Sequence, residues 1–199
     1  MTTTDHTHTS DDFGTEYRTL ADRITSLLHS TDIRSLHRPS PCEGWDGAAV
    51  LEHLITTQRD FLGKHTTMPE LGATDPLERW REHISQVAAL LADGVGELEF
   101  DGYFGPTTVG ATLARFYGFD MVVHRWDIGA AIGVAVVWDE DELDQVETSI
   151  AGFGDHLYAE GICTAPVEAG SGASRQQQLL ALMGRRDEFL TNVKPPGGS

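Results

Sequence analysis

The chain has 199 residues, 40% of them hydrophobic, and its 31 acidic and 14 basic residues give a formal net charge of −17 at pH 7. This length fits one domain with a sizeable core, and the acidic balance argues against a nucleic-acid surface or an anionic membrane as partner. No stretch is apolar enough to span a membrane, and the polar N-terminus has no apolar secretory core. Because Cys42 and Cys163 form no CxxC pair, we expect reduced thiols and a cytoplasmic protein.

Hydrophobic periodicity predicts amphipathic helices joined by irregular segments. In chain order we expect a disordered tail over residues 1–10, helices over 12–29, 46–64, 75–91, 108–131 and 139–161, and a short helix over 176–183. The Gly-rich segment 93–107 is predicted to be a loop with a short extended piece. One domain over residues 11–186 then precedes a flexible tail over 187–199. Such helices bury their apolar stripes against each other, so the predicted fold is all-α, a four-helix bundle with up to five or six helices.

The segment 116–128 carries the most chemical information. Asp120, His124 and Asp127 are three and four residues apart, so they share one face of the predicted fourth helix with apolar side chains that include Leu113 and Phe116. Ionisable groups on a core-facing surface are unfavourable unless they are paired or bound to a metal. Two explanations remain open, which are an internal ion pair with Arg115 or Arg125 and a metal site.

His53, on the flank of the apolar face of the second helix, is a further candidate ligand. A single histidine in such a place is usually structural. Combined with Asp120 and His124, however, it completes a 2-His-1-carboxylate set, which recurs as the ligand shell of divalent metals. Asp127 is then an acceptor that can hold the imidazole of His124 or His53 through the ring nitrogen that does not face the metal.

Aromatic side chains and one cysteine near these motifs are weaker candidates. Trp45, Tyr117 and Trp126 are expected either to line a pocket beside the metal or to pack in the core. Cys42 precedes a helix start, where a thiol can be activated, but the sequence shows no accompanying His-Asx pattern. We therefore do not expect Cys42 to be a nucleophile.

Two motifs resemble a known family. Pro41-Cys-Glu-Gly-Trp-Asp46 is followed at once by a helix with His53, and Asp120-Met-Val-Val-His-Arg-Trp-Asp127 comes later, at a spacing that a four-helix bundle needs. With the C-terminal segments Ala165-Pro-Val-Glu168 and Leu179-Leu-Ala-Leu-Met-Gly-Arg185, they resemble the maleylpyruvate isomerase N-terminal domain family of the DinB-like superfamily, in its short single-domain form. The resemblance implies a DinB-like bundle with one divalent metal, usually zinc or nickel, on His53, Asp120 and His124. The isomerase itself carries Glu at the position of Asp120.

The resemblance also implies a function. Members with known activity are mycothiol-dependent isomerases and thiol S-transferases, which implies an enzyme that activates a low-molecular-weight thiol, such as mycothiol, toward a small electrophile. Two alternatives stay open, which are a non-catalytic bundle that binds a metal or a small ligand, and a metal-dependent hydrolase that uses bound water. We expect a small-molecule substrate and neither nucleic acid nor membrane as partner, and the sequence leaves a homodimer open.

Overall fold

The computed structural model describes residues 10–103, 105–159 and 161–186. Most of these residues are helical, and the regular strands within them form one short hairpin, so the all-α prediction is confirmed. The predicted tails over residues 1–10 and 187–199 lie outside the described residues, except for Ser10, at which the first helix begins.

The elements follow the predicted order. The α-helices span Ser10–His29 (α1), Gly47–Leu62 (α2), Pro76–Ala92 (α3), Val109–Thr112 (α4), Gly118–Ile132 (α5), Glu140–Phe153 (α6) and Arg175–Leu182 (α7). Short 3-10 helices cover Ile33–His37, Val95–Glu97 and Gly154–Tyr158. Strands Glu99–Gly102 (β1) and Gly105–Thr108 (β2) pair antiparallel, with Glu99 opposite Thr108.

Four helices form the bundle. α1 packs against α3 and α5, α2 packs against α5 and α3, and α6 and α7 extend the bundle from α5. Burial of each large apolar side chain contributes about 1.5–3 kcal/mol, so their combined burial drives the packing. Fully buried large side chains come from all four bundle helices: Tyr17, Ile24 and Leu28 in α1, Leu51, Leu54 and Ile55 in α2, Trp80 in α3, and Met121 and Ile128 in α5.

Capping residues set several helix boundaries. The Asp75 side chain accepts hydrogen bonds from the backbone N–H groups of Leu77 and Glu78, and Pro76 occupies the first turn of α3. The predicted fifth helix was too long, because α6 ends at Phe153 and Gly154 takes a positive φ of 51° that breaks the helical path. The predicted loop over 93–107 was incomplete, since much of it belongs to the hairpin.

The predicted fourth helix contains a π-helical turn. α4 passes into this turn at Leu113–Tyr117 before α5 begins at Gly118. A π-helical turn takes more residues than an α-helical turn, so residues before and after it are out of phase with a continuous α-helix. For this reason Phe116, which the α-helical period places on the stripe of Asp120, is instead 43% exposed.

A buried polar network crosses the bundle. The Tyr17 hydroxyl donates to Gln58 Oε1 over 2.8 Å, and His83 Nε2 donates to the same oxygen over 3.0 Å. Burial, with a smaller contribution from the charges of Arg59 and Arg79, lowers the pKa of His83 to about 3. The core therefore holds His83 as a neutral imidazole.

Candidate metal centre

The turn before α2 brings Cys42 and Trp45 to the top of the bundle. The Trp45 N–H donates to the Cys42 carbonyl, and the Ser40 N–H and hydroxyl both donate to the Trp45 carbonyl. Gly44 lies inside this turn with a φ of +79°, which glycine adopts without steric penalty. Asp46 then caps α2 by accepting from the Ala49 N–H over 2.7 Å. His53 follows two helical turns later, so it lies on the side of α2 where the turn ends.

Three donor groups converge between α2 and α5. Asp120 Oδ2 is 3.4 Å from His53 Nε2, and Asp120 Oδ1 is 3.3 Å from His124 Nε2. One ligand atom from each residue lies within 4.8 Å of the other two. Zinc ligands at about 2.0–2.1 Å in a tetrahedral shell are separated by roughly 3.3–3.4 Å. Each histidine nitrogen therefore lies at this distance from one of the two Asp120 oxygens, and the cluster is compact enough for the three side chains to share one ion.

One side of this cluster is open to solvent. The His53 and Asp120 side chains are 25% and 22% exposed, whereas His124 is buried beneath them. The Trp45 ring, itself 38% exposed, lies with its centroid 4.9 Å from His53 and 6.5 Å from His124. Three protein donors with access from one side are typical of catalytic metal sites, while structural sites are closed by four protein ligands.

Asp127 orients His124 from behind. His124 Nδ1 donates to Asp127 Oδ2 over 2.8 Å, which leaves Nε2 directed at Asp120. Asp127 is fully buried, and it also accepts from Arg185, through Nε over 3.2 Å and Nη2 over 2.8 Å. A carboxylate that holds the outer nitrogen of a ligating histidine fixes both its tautomer and the orientation of its ring.

Cys42, His124 and Asp127 form a second group of candidate ligands. Cys42 Sγ lies 3.3 Å from Asp127 Oδ2 and 3.9 Å from His124 Nδ1. The Arg185 guanidinium, however, contacts both Asp127 and the Cys42 sulfur. A cation there would face a fixed positive charge, so the group of His53, Asp120 and His124 is the better candidate for a metal site.

Electrostatics favour positive charge beside Asp120. Burial by itself raises the pKa of Asp120 and lowers that of His124, because it disfavours both charged forms. Their mutual attraction outweighs burial, so the pKa of Asp120 lies well below its usual range and the pKa of His124 well above it. The pKa of Asp127 is likewise held low, against the effect of burial, by Arg185 and His124.

The ion-pair alternative named Arg115 and Arg125 as partners of the buried carboxylates. Arg125 pairs with Glu142 of α6, at 2.7 Å, rather than with a carboxylate of the cluster. Within the described residues, the ion-pair partners of Asp120 are His53 and His124. An arginine does pair with Asp127, but it is Arg185.

The three aromatic candidates occupy different surroundings. Trp45 lies over the two histidines, and half-buried Tyr117 packs against Phe61, with ring centroids 5.2 Å apart. Burial raises the pKa of the Tyr117 hydroxyl, and the charge of nearby Asp120 raises it further. Trp126 is buried in the hydrophobic core.

Two residues of the site were missed or dismissed. Arg185 was noted only as part of a C-terminal resemblance, and Cys42 was set aside because no His-Asx pattern stands near it in the sequence. The structure places Cys42 beside His124 and Asp127, which are 82 and 85 residues away along the chain. The Gly184-Arg185 pair at the end of a predicted helix was the one available signal, since glycine there redirects the chain.

Comparison with known proteins identifies the family of this chain. The sequence model of the mycothiol maleylpyruvate isomerase N-terminal domain matches residues 17–129, more than half of the chain. The chain belongs to this family. The residues matched to the isomerase domain include His53, Asp120, His124 and Asp127, whereas Arg185 lies beyond them. Searches among curated proteins and among solved structures give no match.

Among the described residues, none forms a helix that is both long and apolar enough to cross a bilayer.

Proposed function

We propose that this isomerase-family chain binds one divalent metal ion, zinc or nickel, through His53, Asp120 and His124. The observation that carries the proposal is the two-sided environment of His124. Its Nδ1 is occupied by Asp127, and its Nε2 faces Asp120 at 3.3 Å in a cluster that His53 completes. Two imidazoles, each without a proton on the nitrogen that faces the ion, and one carboxylate would form a donor set that both metals accept.

We further propose that the site serves a thiol-dependent transferase or isomerase reaction on a small electrophile. A bound divalent ion supplies Lewis acidity that favours a thiolate near neutral pH. The donor set carries a single negative charge, from Asp120, so one thiolate anion would balance the remaining charge of a divalent ion. The family supports mycothiol as that thiol.

The chain's own residues have separate tasks in this proposal. Asp127 keeps the Nδ1 proton of His124 in place, so that Nε2 stays available to the metal. Trp45 shields one flank of the cluster while leaving an approach from solvent, and its indole offers an apolar surface to a small substrate. Tyr117 is placed near Asp120 with its hydroxyl protonated.

Metal content is the first test. Untagged protein offered zinc and nickel is analysed for bound metal, beside a His53→Ala, His124→Ala double variant. His65→Ala is a matched control, because His65 stacks on Phe61 and Phe100 instead of joining the cluster. We expect about one ion per chain in the wild type and the control, and none in the double variant. Wild-type protein without metal would contradict the proposal.

The reaction class is tested next with metal-loaded protein, mycothiol and a panel of small electrophiles. Product that forms only with mycothiol supports a transferase, if the thiol is consumed, or an isomerase, if it is regenerated. Product that forms equally well without any thiol would identify a hydrolase that uses bound water. No turnover by a fully loaded protein would favour a binding bundle.

A further inference from the structure

We infer that the C-terminal segment, residues 163–185, is a functional part of the metal centre and that Arg185 is a positioning residue for His124. This inference rests on the proposed metal site. It adds a residue from outside the matched isomerase domain, since that match ends at residue 129.

The end of α7 fixes the place of Arg185. The Gly184 N–H donates to the Ala181 carbonyl, and the Arg185 N–H donates to the Leu180 carbonyl. This pair of hydrogen bonds is a Schellman motif, in which the glycine has a positive φ, here 78°. The motif turns the chain back, so that the first residue after the glycine faces the bundle instead of solvent.

The segment is also anchored by packing. Leu179, Leu180 and Met183 are buried in the common core, and the Val167 N–H donates to the Ala181 carbonyl. Gly184 packs so closely on Thr164 that a Cβ at this position would overlap the Thr164 hydroxyl. The position of Arg185 is therefore determined by the fold and not by its own side chain alone.

Arg185 holds Asp127 with a two-pronged contact. Its Nε reaches Oδ1 and its Nη2 reaches Oδ2, while Nη1 donates to the Met183 carbonyl over 2.9 Å. The Arg185 side chain is only 9% exposed and Asp127 is fully buried. A planar guanidinium engaged at both carboxylate oxygens fixes the carboxylate plane, which a lysine ammonium cannot do.

The fixed plane of the Asp127 carboxylate determines the orientation of the His124 ring. Oδ2 of Asp127 accepts from Arg185 and from His124 Nδ1, both over 2.8 Å. A carboxylate free to rotate would lose this alignment, and a buried one without a cation would be destabilised. Arg185 therefore keeps the Asp127 carboxylate aligned, and through it keeps His124 Nε2 directed toward His53 and Asp120.

A second buried ion pair, which also includes a residue of α5, provides a control that distinguishes an effect on metal binding from a general effect on stability. Arg125, next to His124 in the sequence, pairs with Glu142 and is as buried as Arg185, but that pair contacts none of the three donors. Loss of either guanidinium should destabilise the fold. Only loss of Arg185 should change how the protein binds metal.

The experiment measures zinc affinity by competition with a chromophoric chelator, together with thermal unfolding of each metal-free protein. The variants are Arg185→Met, Asp127→Asn, the double variant of these two, and Arg125→Met as the control. We expect Arg185→Met to weaken zinc binding about 10- to 100-fold, and Arg125→Met to leave the affinity within about threefold. The double variant should bind zinc no more weakly than Asp127→Asn alone, because Arg185 acts through Asp127.

Arg185→Lys provides a second variant if Arg185→Met does not fold. It retains the charge but not the two-pronged contact, so zinc binding should still weaken. Cobalt absorption spectra add a readout of ligand geometry, and we expect the band positions to shift in both Arg185 variants and not in Arg125→Met.

The outcomes distinguish this inference from the proposed function. Wild-type protein that binds no zinc overturns both. Wild-type binding with unchanged affinity in the Arg185 variants overturns only the inference. Equal losses of affinity in Arg125→Met and Arg185→Met also overturn it, since they would show a general effect of destabilisation.

Discussion

The buried imidazole of His83 should make the protein sensitive to mild acid. The pKa of His83 is lowered to about 3 in the folded chain, by burial first and then by the charges of Arg59 and Arg79. Its value in the unfolded chain is about 6.5. Between these two values the unfolded chain takes up a proton that the folded chain does not, so stability falls as the pH falls. The stability that the neutral His83 imidazole contributes is fully present above about pH 6.5 and is lost progressively as the pH falls toward 3.

The two pKa values set the size of the effect. The linkage relation gives a loss of about 2 kcal/mol between pH 7 and pH 5 and of about 4 kcal/mol between pH 7 and pH 3, with a limit of about 5 kcal/mol well below pH 3. His83→Gln keeps a side-chain N–H that can reach Gln58 but removes the proton uptake. Urea unfolding of both proteins at pH 7 and pH 5 measures the difference. The wild type should lose about 2 kcal/mol more than the variant, and equal losses would refute the reasoning.

Three further results are expected. Zinc at about 100 times its Kd should stabilise the fold by roughly 2.7 kcal/mol. For a chain of 199 residues this raises Tm by about 6 °C in a calorimetric scan. His53→Ala should abolish the shift in Tm, and an equal shift in that variant would exclude His53 as a ligand. Trp45→Ala should raise KM in steady-state assays with little change in metal content, because the indole covers the cluster without donating to it; an unchanged KM would remove Trp45 from the substrate site. Gly184→Ala should lower Tm by several degrees, since Ala must adopt a φ of 78° against Thr164; a thermal scan identical to the wild type would show that the turn tolerates a side chain.

Local signals carried most of what could be predicted from the sequence. The helix starts at Asp46 and Asp75 depend on the capping residue and its immediate neighbours, and the structure contains both caps. The spacing of Asp120, His124 and Asp127 likewise depends only on helical geometry, apart from the π-helical turn before them. The assignment of the three donors as ligands remains a prediction.

Long-range contacts account for what could not be predicted. The contact between Arg185 and Asp127 joins residues 58 positions apart, and the short-range patterns of the sequence carry no information about it. The antiparallel pairing of β1 with β2 was hidden in a Gly-rich segment whose strands are only four residues each. The π-helical turn has no compositional signature of its own, which is why Phe116 was placed on the wrong face.

The π-helical turn at Leu113–Tyr117 also sets the rotation between the helical segments on either side of it. Upstream of the turn, Val109 and Leu113 are buried, and downstream Asp120 and His124 face His53. If the same residues closed into a continuous α-helix, one part would rotate relative to the other by about 100°, because each residue of an α-helix advances by that angle. Either the apolar seal of the upstream part or the alignment of the donors would then be lost. The wide turn is therefore what allows the buried upstream face and the downstream donors to be correctly oriented at the same time.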